Sequence, residues 1–233
     1  MKTVAIMQPY FLPYIGYFQL IAAADLFVVY DHIKYTKKGW INRNRMLLNG
    51  KDVMFSLPLR AGHDALDICE RELAADFNRS KLLNQFRGAY RQAPCFAATF
   101  PLIEQIVLHP DVNLFRFLHH SICKTCEHLG ISTRILVSSD IAIDRKLTSQ
   151  DKVLAICEAL GATTYVNAIG GRELYSQEAF RDRDIDLKFI RSLPFEYPQF
   201  GAGFVPWLSI IDVMMFNSVE ATLGAVKGGF ELI

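Results

Sequence analysis

No run of eighteen apolar residues occurs in the 233-residue chain, which excludes an ordinary membrane-spanning helix. Cysteine is sparse: five residues without a paired framework point to a reducing compartment rather than a disulfide-held secreted fold. Neither sign of charge is in excess, since 25 Lys and Arg against 24 Asp and Glu leave +1. That balance argues against a nucleic acid as main ligand and restricts any anion site to a local cluster. Linkers rich in Pro, Gly or Ser are missing, as are internal repeats, so one α/β domain over residues 1–233 is expected. There is no signal-peptide apolar region either, because Lys2 leads directly into a strand. The expectation is a cytoplasmic protein with no membrane association. Apolar residues, by contrast, are abundant: 51% of the chain is hydrophobic against 21% charged, enough for a large core.

The first thirty residues organise the rest. Val4-Ala5-Ile6-Met7 is an apolar run that reads as a buried strand, and it stops at turn chemistry. Pro9 and Pro13 then impose an extended turn, each removing a backbone donor. Tyr14, Tyr17, Phe18 and Ile21 fall at i, i+3, i+4 and i+7, one face of a helix, and Leu26–Tyr30 is a second strand. Strand, tight loop, helix and strand open a doubly wound, mainly parallel sheet of the Rossmann-like, nucleotide-binding type. Ligands in such sheets sit beyond the carboxyl ends of the strands, where the loop Gln8–Pro13 lies.

The stretch MQPYFLPYIGYFQLIAAADLFVVYDHIKYTKKGWINRNR resembles the opening signature of the WbqC-like proteins. The resemblance continues through LPL, ATTYVNAIGGRELY and FVPWLSIIDVMMFN, so it covers almost the whole chain. It implies a role in surface-polysaccharide biosynthesis, as in O-antigen and lipopolysaccharide assembly. There such a protein would place an aminoacyl group (glycyl, for example) or an acyl group on the amine of a nucleotide-linked amino sugar. The opening also resembles nucleotidylyltransferases and class I synthetase cores, in which an HxGH helix holds ATP phosphates. Here Tyr14-Ile15-Gly16-Tyr17 occupies that spacing, and tyrosine supplies no cation for a leaving pyrophosphate.

Downstream, Lys34, Lys37, Lys38, Arg43 and Arg45 form an acid-free basic stretch interleaved with Trp40, Asn42 and Asn44. Lysines beside Gly39 and the planar arginine forks suit a diphosphate; the alternative is a solvated hairpin edge protected by its lysines. Asn49-Gly50 marks a hairpin turn. Helical periodicity over residues 78–129, including a helix from Phe100 to Leu108, reads as an insertion packed on the sheet. Within it His119, Cys123 and Cys126 share a helical face. Cys126 also lies on that helix's apolar line and Cys69, Cys95 and Cys157 are scattered, so core thiols and no bound metal are expected. Gly170-Gly171-Arg172 follows another strand, and reads either as an anion loop or as a plain strand-to-helix turn. Ser209 with Asp212 three residues on reads as a helix cap rather than a Ser–Asp active site, and a frayed tail is expected after that final helix.

Two functions follow. In the first, an acyltransferase, His32 is the base because its ordinary titration lies near neutrality; a plain surface histidine is the alternative. Gln8 and Tyr14 supply oxyanion or sugar-hydroxyl donors, while Pro9, Tyr10, Phe11, Gly16, Tyr17 and Trp40 shape the substrate site. Lys37, Lys38, Asn42, Arg43, Arg45, Gly170 and Arg172 complete it around the phosphates. The partners are a nucleotide-linked amino sugar and an activated donor, carrier-bound or free, with no cofactor and with a homodimer left open. In the second, the same aromatic loop belongs to a non-catalytic module that binds a sugar nucleotide or scaffolds polysaccharide assembly.

Overall fold

Short β-branched and aromatic runs form the strands, and their order of pairing sets where a ligand can bind. The computed structural model of the protein describes residues 1–201 and 203–233. The chain begins with β1 (Thr3–Met7), α1 (Ile15–Ala22) and β2 (Leu26–Val29). A hairpin of β3 (Arg43–Leu48) and β4 (Lys51–Ser56) follows, then α2 (Arg79–Tyr90), α3 (Phe96–Val107) and α4 (Leu114–Leu129). The alternating part consists of β5 (Arg134–Val137), α5 (Ser149–Leu160), β6 (Thr164–Ala168), α6 (Gln177–Arg181) and β7 (Asp186–Ser192). Last come α7 (Ile210–Phe216), α8 (Val219–Gly228) and β8 (Phe230–Leu232).

Six strands make one sheet in the order β5–β2–β1–β6–β7–β8, and every pair is parallel except β7–β8. This is the mainly parallel, Rossmann-like α/β sheet that the opening residues imply. The chain winds outward from β1 through β2 to β5, then returns to the other side of β1 at β6. That reversal opens a crevice between the carboxyl ends of β1 and β6, the usual ligand position in such sheets.

Both faces of the sheet are covered. Ala5, Phe27, Val29, Val166 and Ile190 face a large core that they share with α1–α4, α7 and α8. Val4, Ile6, Val28, Tyr165, Leu187 and Phe189 face a smaller one built with α5 and α6. A strand buried on both sides has no solvent face to mark with polar residues, which is why β1 and β2 read as unbroken apolar runs.

Helices α2–α4 match the helical stretch read at residues 78–129. Helix α3 starts earlier than Phe100, at Phe96, and carries Pro101 inside it. The hairpin turn has φ of 52° at Asn49 and 73° at Gly50, the doubly left-handed pair that a two-residue turn requires. The chain's end differs from a single helix with a frayed tail. Ser218 accepts from the Ala221 N–H and caps a separate α8. Phe230–Leu232 then pairs with Ile190–Ser192, so the tail closes the sheet edge.

Candidate active site at the switch point

The loop after β1 is a core element rather than a flap: Phe11 and Leu12 are fully buried. Leu12 adopts φ of 44°, a left-handed conformation that costs an L-residue about 1–2 kcal/mol. Its surroundings hold it there. The Leu12 carbonyl accepts from Ser209 Oγ at 2.6 Å and from Asn44 Nδ2 at 2.9 Å. Asn44 also reaches the Phe11 carbonyl at 3.3 Å, the Phe11 N–H donates to the Ile41 carbonyl, and the Ile210 N–H donates to that of Pro13. Strand β3 and the start of α7 thus grip the loop from two sides. A Cβ at Gly16 would run into the Tyr14 ring, so glycine there lets Tyr14 lie back over the first turn of α1.

Beyond the strand ends lies a cleft of about 1080 Å³. Its floor comes from Met7 and Gln8 at the end of β1, Tyr30 and His32 after β2, and residues 167–171 at the end of β6 and beyond it. Tyr10, Tyr14, Tyr175 and Trp207 supply aromatic walls. Trp207, at the exposed rim, meets Tyr14 edge-on with ring centroids 6.1 Å apart. Burial, together with repulsion from Tyr14, pushes the Tyr10 hydroxyl above its ordinary pKa. Burial raises Tyr14 as well, partly offset by its hydrogen bond with Ser192. Both therefore remain neutral donors at physiological pH. Tyr17 is fully buried and donates to the Gln8 carbonyl at 3.1 Å, so it fixes the loop.

A polar centre stands at one end of the cleft. The backbone of residues 31–35 bonds to residues 66–69: Ile68 N–H to the Ile33 carbonyl, Cys69 N–H to that of Asp31, and Tyr35 N–H to that of Leu66. That pairing carries Asp67 and Cys69 to His32. His32 Nε2 lies 3.6 Å from Asp31 Oδ2, and Nδ1 lies 3.7 Å from Asp67 Oδ2 and 3.5 Å from Cys69 Sγ. Asp31 Oδ1 accepts from Ser138 Oγ at 2.6 Å and from the Ser139 N–H at 3.1 Å. Burial would raise the Asp31 carboxyl, but these two bonds and the His32 imidazole hold it below its ordinary value. Burial first, then the Asp31, Asp67 and Glu70 carboxylates, push the Cys69 thiol up to about 11.

The sequence-predicted residues divide sharply. Gln8, Tyr10, Tyr14, Gly16, Tyr17, His32 and Gly170 line the cleft together. Pro9 and Phe11 are buried and are not part of the lining. Most of the basic stretch lies elsewhere: Lys37, Lys38, Trp40, Asn42, Arg43 and Arg45 are absent from the lining, as is Arg172. Arg43 donates to the carbonyls of Gly39 and Lys37, and Lys37 pairs with Asp64 at 2.6 Å. Arg45 pairs with Asp52 at 3.0 Å and donates to the Trp207 carbonyl at 3.1 Å, so it braces the rim tryptophan from behind. Asn42 bonds the Leu57 carbonyl and the Tyr35 hydroxyl. The cations on the lining are Lys34, Lys152 and Arg191; Lys152 also donates to the His32 carbonyl at 2.9 Å. Lys34 belongs to the basic stretch and so was within reach of a charge count. Trp207, Lys152 and the Cys69–Asp67 pair carry no local signal that joins them to the first loop.

Elsewhere, Cys126 lies in the main core and Cys123 beside His119 at 3.7 Å. Ser209 does cap α7, accepting from the Ile211 N–H, but Asp212 does not reach back to it. Asp212 is buried and accepts from Tyr90, Tyr197 and Gln199 at 3.0, 2.7 and 2.6 Å.

The sequence pattern of the WbqC-like protein family matches residues 8–223, from the cleft glutamine to helix α8. An uncharacterized protein of Mycobacterium tuberculosis, Rv1507c, is 29% identical over 224 residues, which is 95% of this chain and 96% of that one. No solved structure matches the chain. With the first-loop signature forming one wall of the cleft, and the match running through the strands and helices that complete it, the chain belongs to the WbqC-like protein family.

Proposed function

We propose that the cleft transfers an aminoacyl or acyl group to the amine of a nucleotide-linked amino sugar, as the family resemblance implies. The observation that carries this reading is the coincidence of a large aromatic-walled cleft with an acid–imidazole pair at the sheet's switch point. At about 1080 Å³ the cleft is at the upper end of small-molecule sites, which suits a nucleotide sugar together with the reactive end of a donor. Trp207 and Tyr14 offer faces for a base or sugar ring, and Lys34 and Lys152 offer charge to its phosphates. For transfer, the amine nitrogen attacks the donor carbonyl carbon, and the bond to the leaving thiol, ribose hydroxyl or phosphate breaks. His32, oriented by Asp31, takes the ammonium proton in the metal-free protein. The neutral hydroxyls of Tyr10 and Tyr14, with the Gln8 amide, donate to the developing oxyanion.

Thermal-shift measurements with a panel of nucleotide sugars test the binding half. Mass spectrometry of reactions supplied with thioester, aminoacyl-tRNA and acyl-phosphate donors tests the chemistry. Stabilisation by nucleotide-linked amino sugars and a product heavier by one aminoacyl or acyl group are expected. Binding with no product from any donor would favour the non-catalytic module, and no binding at all would remove the cleft from this role.

A further inference from the structure

We infer that Asp31, His32 and Cys69 bind a divalent transition-metal ion of the zinc class, with its open coordination position facing the cleft. One ligand atom from each of these residues lies within 4.8 Å of the others. Oxygen, nitrogen and sulfur donors so grouped suit a borderline-soft ion, and three protein ligands with one vacant position is the usual form of a reactive zinc site.

The details of the cluster point to a cation more than to a nucleophilic thiol. A Cys, a His and an Asp in spatial contact suggest a Cys–His–Asp nucleophile, but such a thiol needs positive surroundings. Cys69 instead faces Asp31, Asp67 and Glu70. Among the described residues, the ion-pair contacts of Asp31 and Asp67 are to His32 and to no lysine or arginine. Asp31 is 4% exposed, and its two oxygens are unlike: Ser138 and Ser139 saturate Oδ1, while Oδ2 is left toward the imidazole. A buried carboxylate fixed through one oxygen, with the other turned to the imidazole, is an aimed ligand, and the serines are its outer support. Asp67, beside the imidazole, is the nearby carboxylate able to accept the ring N–H that the ion leaves in place.

Of the three ligands His32 lines the cleft, as does Asp67 beside it, so the site borders the place where substrate would lie. Binding there displaces the Cys69 thiol proton to solvent as the metal–sulfur bond forms. An imidazole that ligates an ion no longer accepts a proton, so in the loaded protein His32 is a ligand and not the base. The expectation of no metal weighed helix α4 and the scattered cysteines; this set joins residues 31–32 to 69, which no local spacing connects. The inference rests on the proposed transfer reaction for the use made of the vacant position, and it confines the role of His32 as base to the metal-free protein.

Titrating cobalt(II) into the metal-stripped full chain tests it directly. A thiolate-to-cobalt charge-transfer band should grow to a plateau at one ion per chain, release one proton per ion into weak buffer, and be abolished by added zinc. Cys69→Ser should remove the band with the thermal midpoint of the metal-free protein unchanged, and Asp31→Asn should weaken binding at least tenfold. Cys123→Ser should keep the band intact. No band in the wild-type chain, or a band that survives Cys69→Ser, overturns the site. Because no sugar nucleotide is present, that failure leaves the transferase reading standing. A cobalt band from a chain that binds no nucleotide sugar would have the opposite meaning.

Discussion

The grip on the first loop makes a quantitative prediction about two residues 165 positions apart, Asn44 and Ser209. Both donate to the same acceptor, the Leu12 carbonyl, at 2.9 and 2.6 Å. Asn44→Ala removes one of these bonds and the 3.3 Å bond to the Phe11 carbonyl. A buried polar group left without a partner costs about 1–3 kcal/mol, so roughly 2–3 kcal/mol is expected for this variant. Ser209→Ala removes the other bond and the cap on α7, whose loss alone costs about 1 kcal/mol. In each single variant the Leu12 carbonyl keeps one donor. In the double variant it keeps neither, while the backbone at Leu12 still carries the strain of its positive φ. The destabilisation of the double variant should therefore exceed the sum of the singles by about 1 kcal/mol. Equilibrium urea unfolding measures this, provided that the slopes of the four proteins agree. Additivity within about 0.5 kcal/mol would mean that the carbonyl is not a shared acceptor, and the account of the loop would fail.

Other outcomes follow from the same geometry. Arg43→Ala should leave nucleotide-sugar affinity within about twofold, since the guanidinium closes a turn outside the cleft. A tenfold loss would restore the phosphate clamp read from the basic stretch. Trp207→Ala should weaken binding by about tenfold or more, because an aromatic face stacked on a base is worth about 1–3 kcal/mol; unchanged affinity in calorimetry would place the base elsewhere. Burial raises the pKa of the Asp212 carboxyl despite its three donors, so the folded chain binds that proton more tightly than the unfolded one. Its contribution is full below the unfolded pKa, near 3.9, and is lost as pH rises through the higher folded value. Asp212→Asn should flatten that part of the stability–pH curve, and a curve of unaltered shape would assign the titration to another group.

Much of the fold was legible because it depends on local pattern. The apolar runs at Val4–Met7 and Leu26–Val29, the helical spacing of Tyr14, Tyr17, Phe18 and Ile21, and the Asn49-Gly50 turn each carry their geometry in a few adjacent residues. From these the parallel sheet followed, and with it the placement of Gln8, Tyr10 and Tyr14 at its ligand-binding end. The basic stretch misled because charge pattern does not specify direction: strand β3 points Arg43 and Arg45 to one face, but that face is not the cleft. Asn42, expected at the phosphates, and Asn44 instead make structural bonds to the Leu57 and Leu12 carbonyls. The polar centre was hidden for a different reason. His32 and Cys69 meet only because residues 31–35 and 66–69 pair through isolated backbone bonds, which leave no periodic trace. Ser209 was read as a cap and is one, while Asp212 answered to Tyr90, Tyr197 and Gln199 from distant segments.

The position of β1 in the middle of the sheet has a consequence for biosynthesis. Made first, it must wait for β6, which begins at Thr164, before its second edge is paired. Its loop must wait longer, for Ser209 and Ile210. At about 5–20 residues per second, the roughly 200 intervening residues take about 10–40 s to leave the ribosome. Until β6 emerges, an apolar strand with one open edge is attached to a nascent chain, the condition in which chaperones or neighbouring chains compete for it. The walls of the cleft are thus the last part of the molecule to come together, although one of them is the first to be translated.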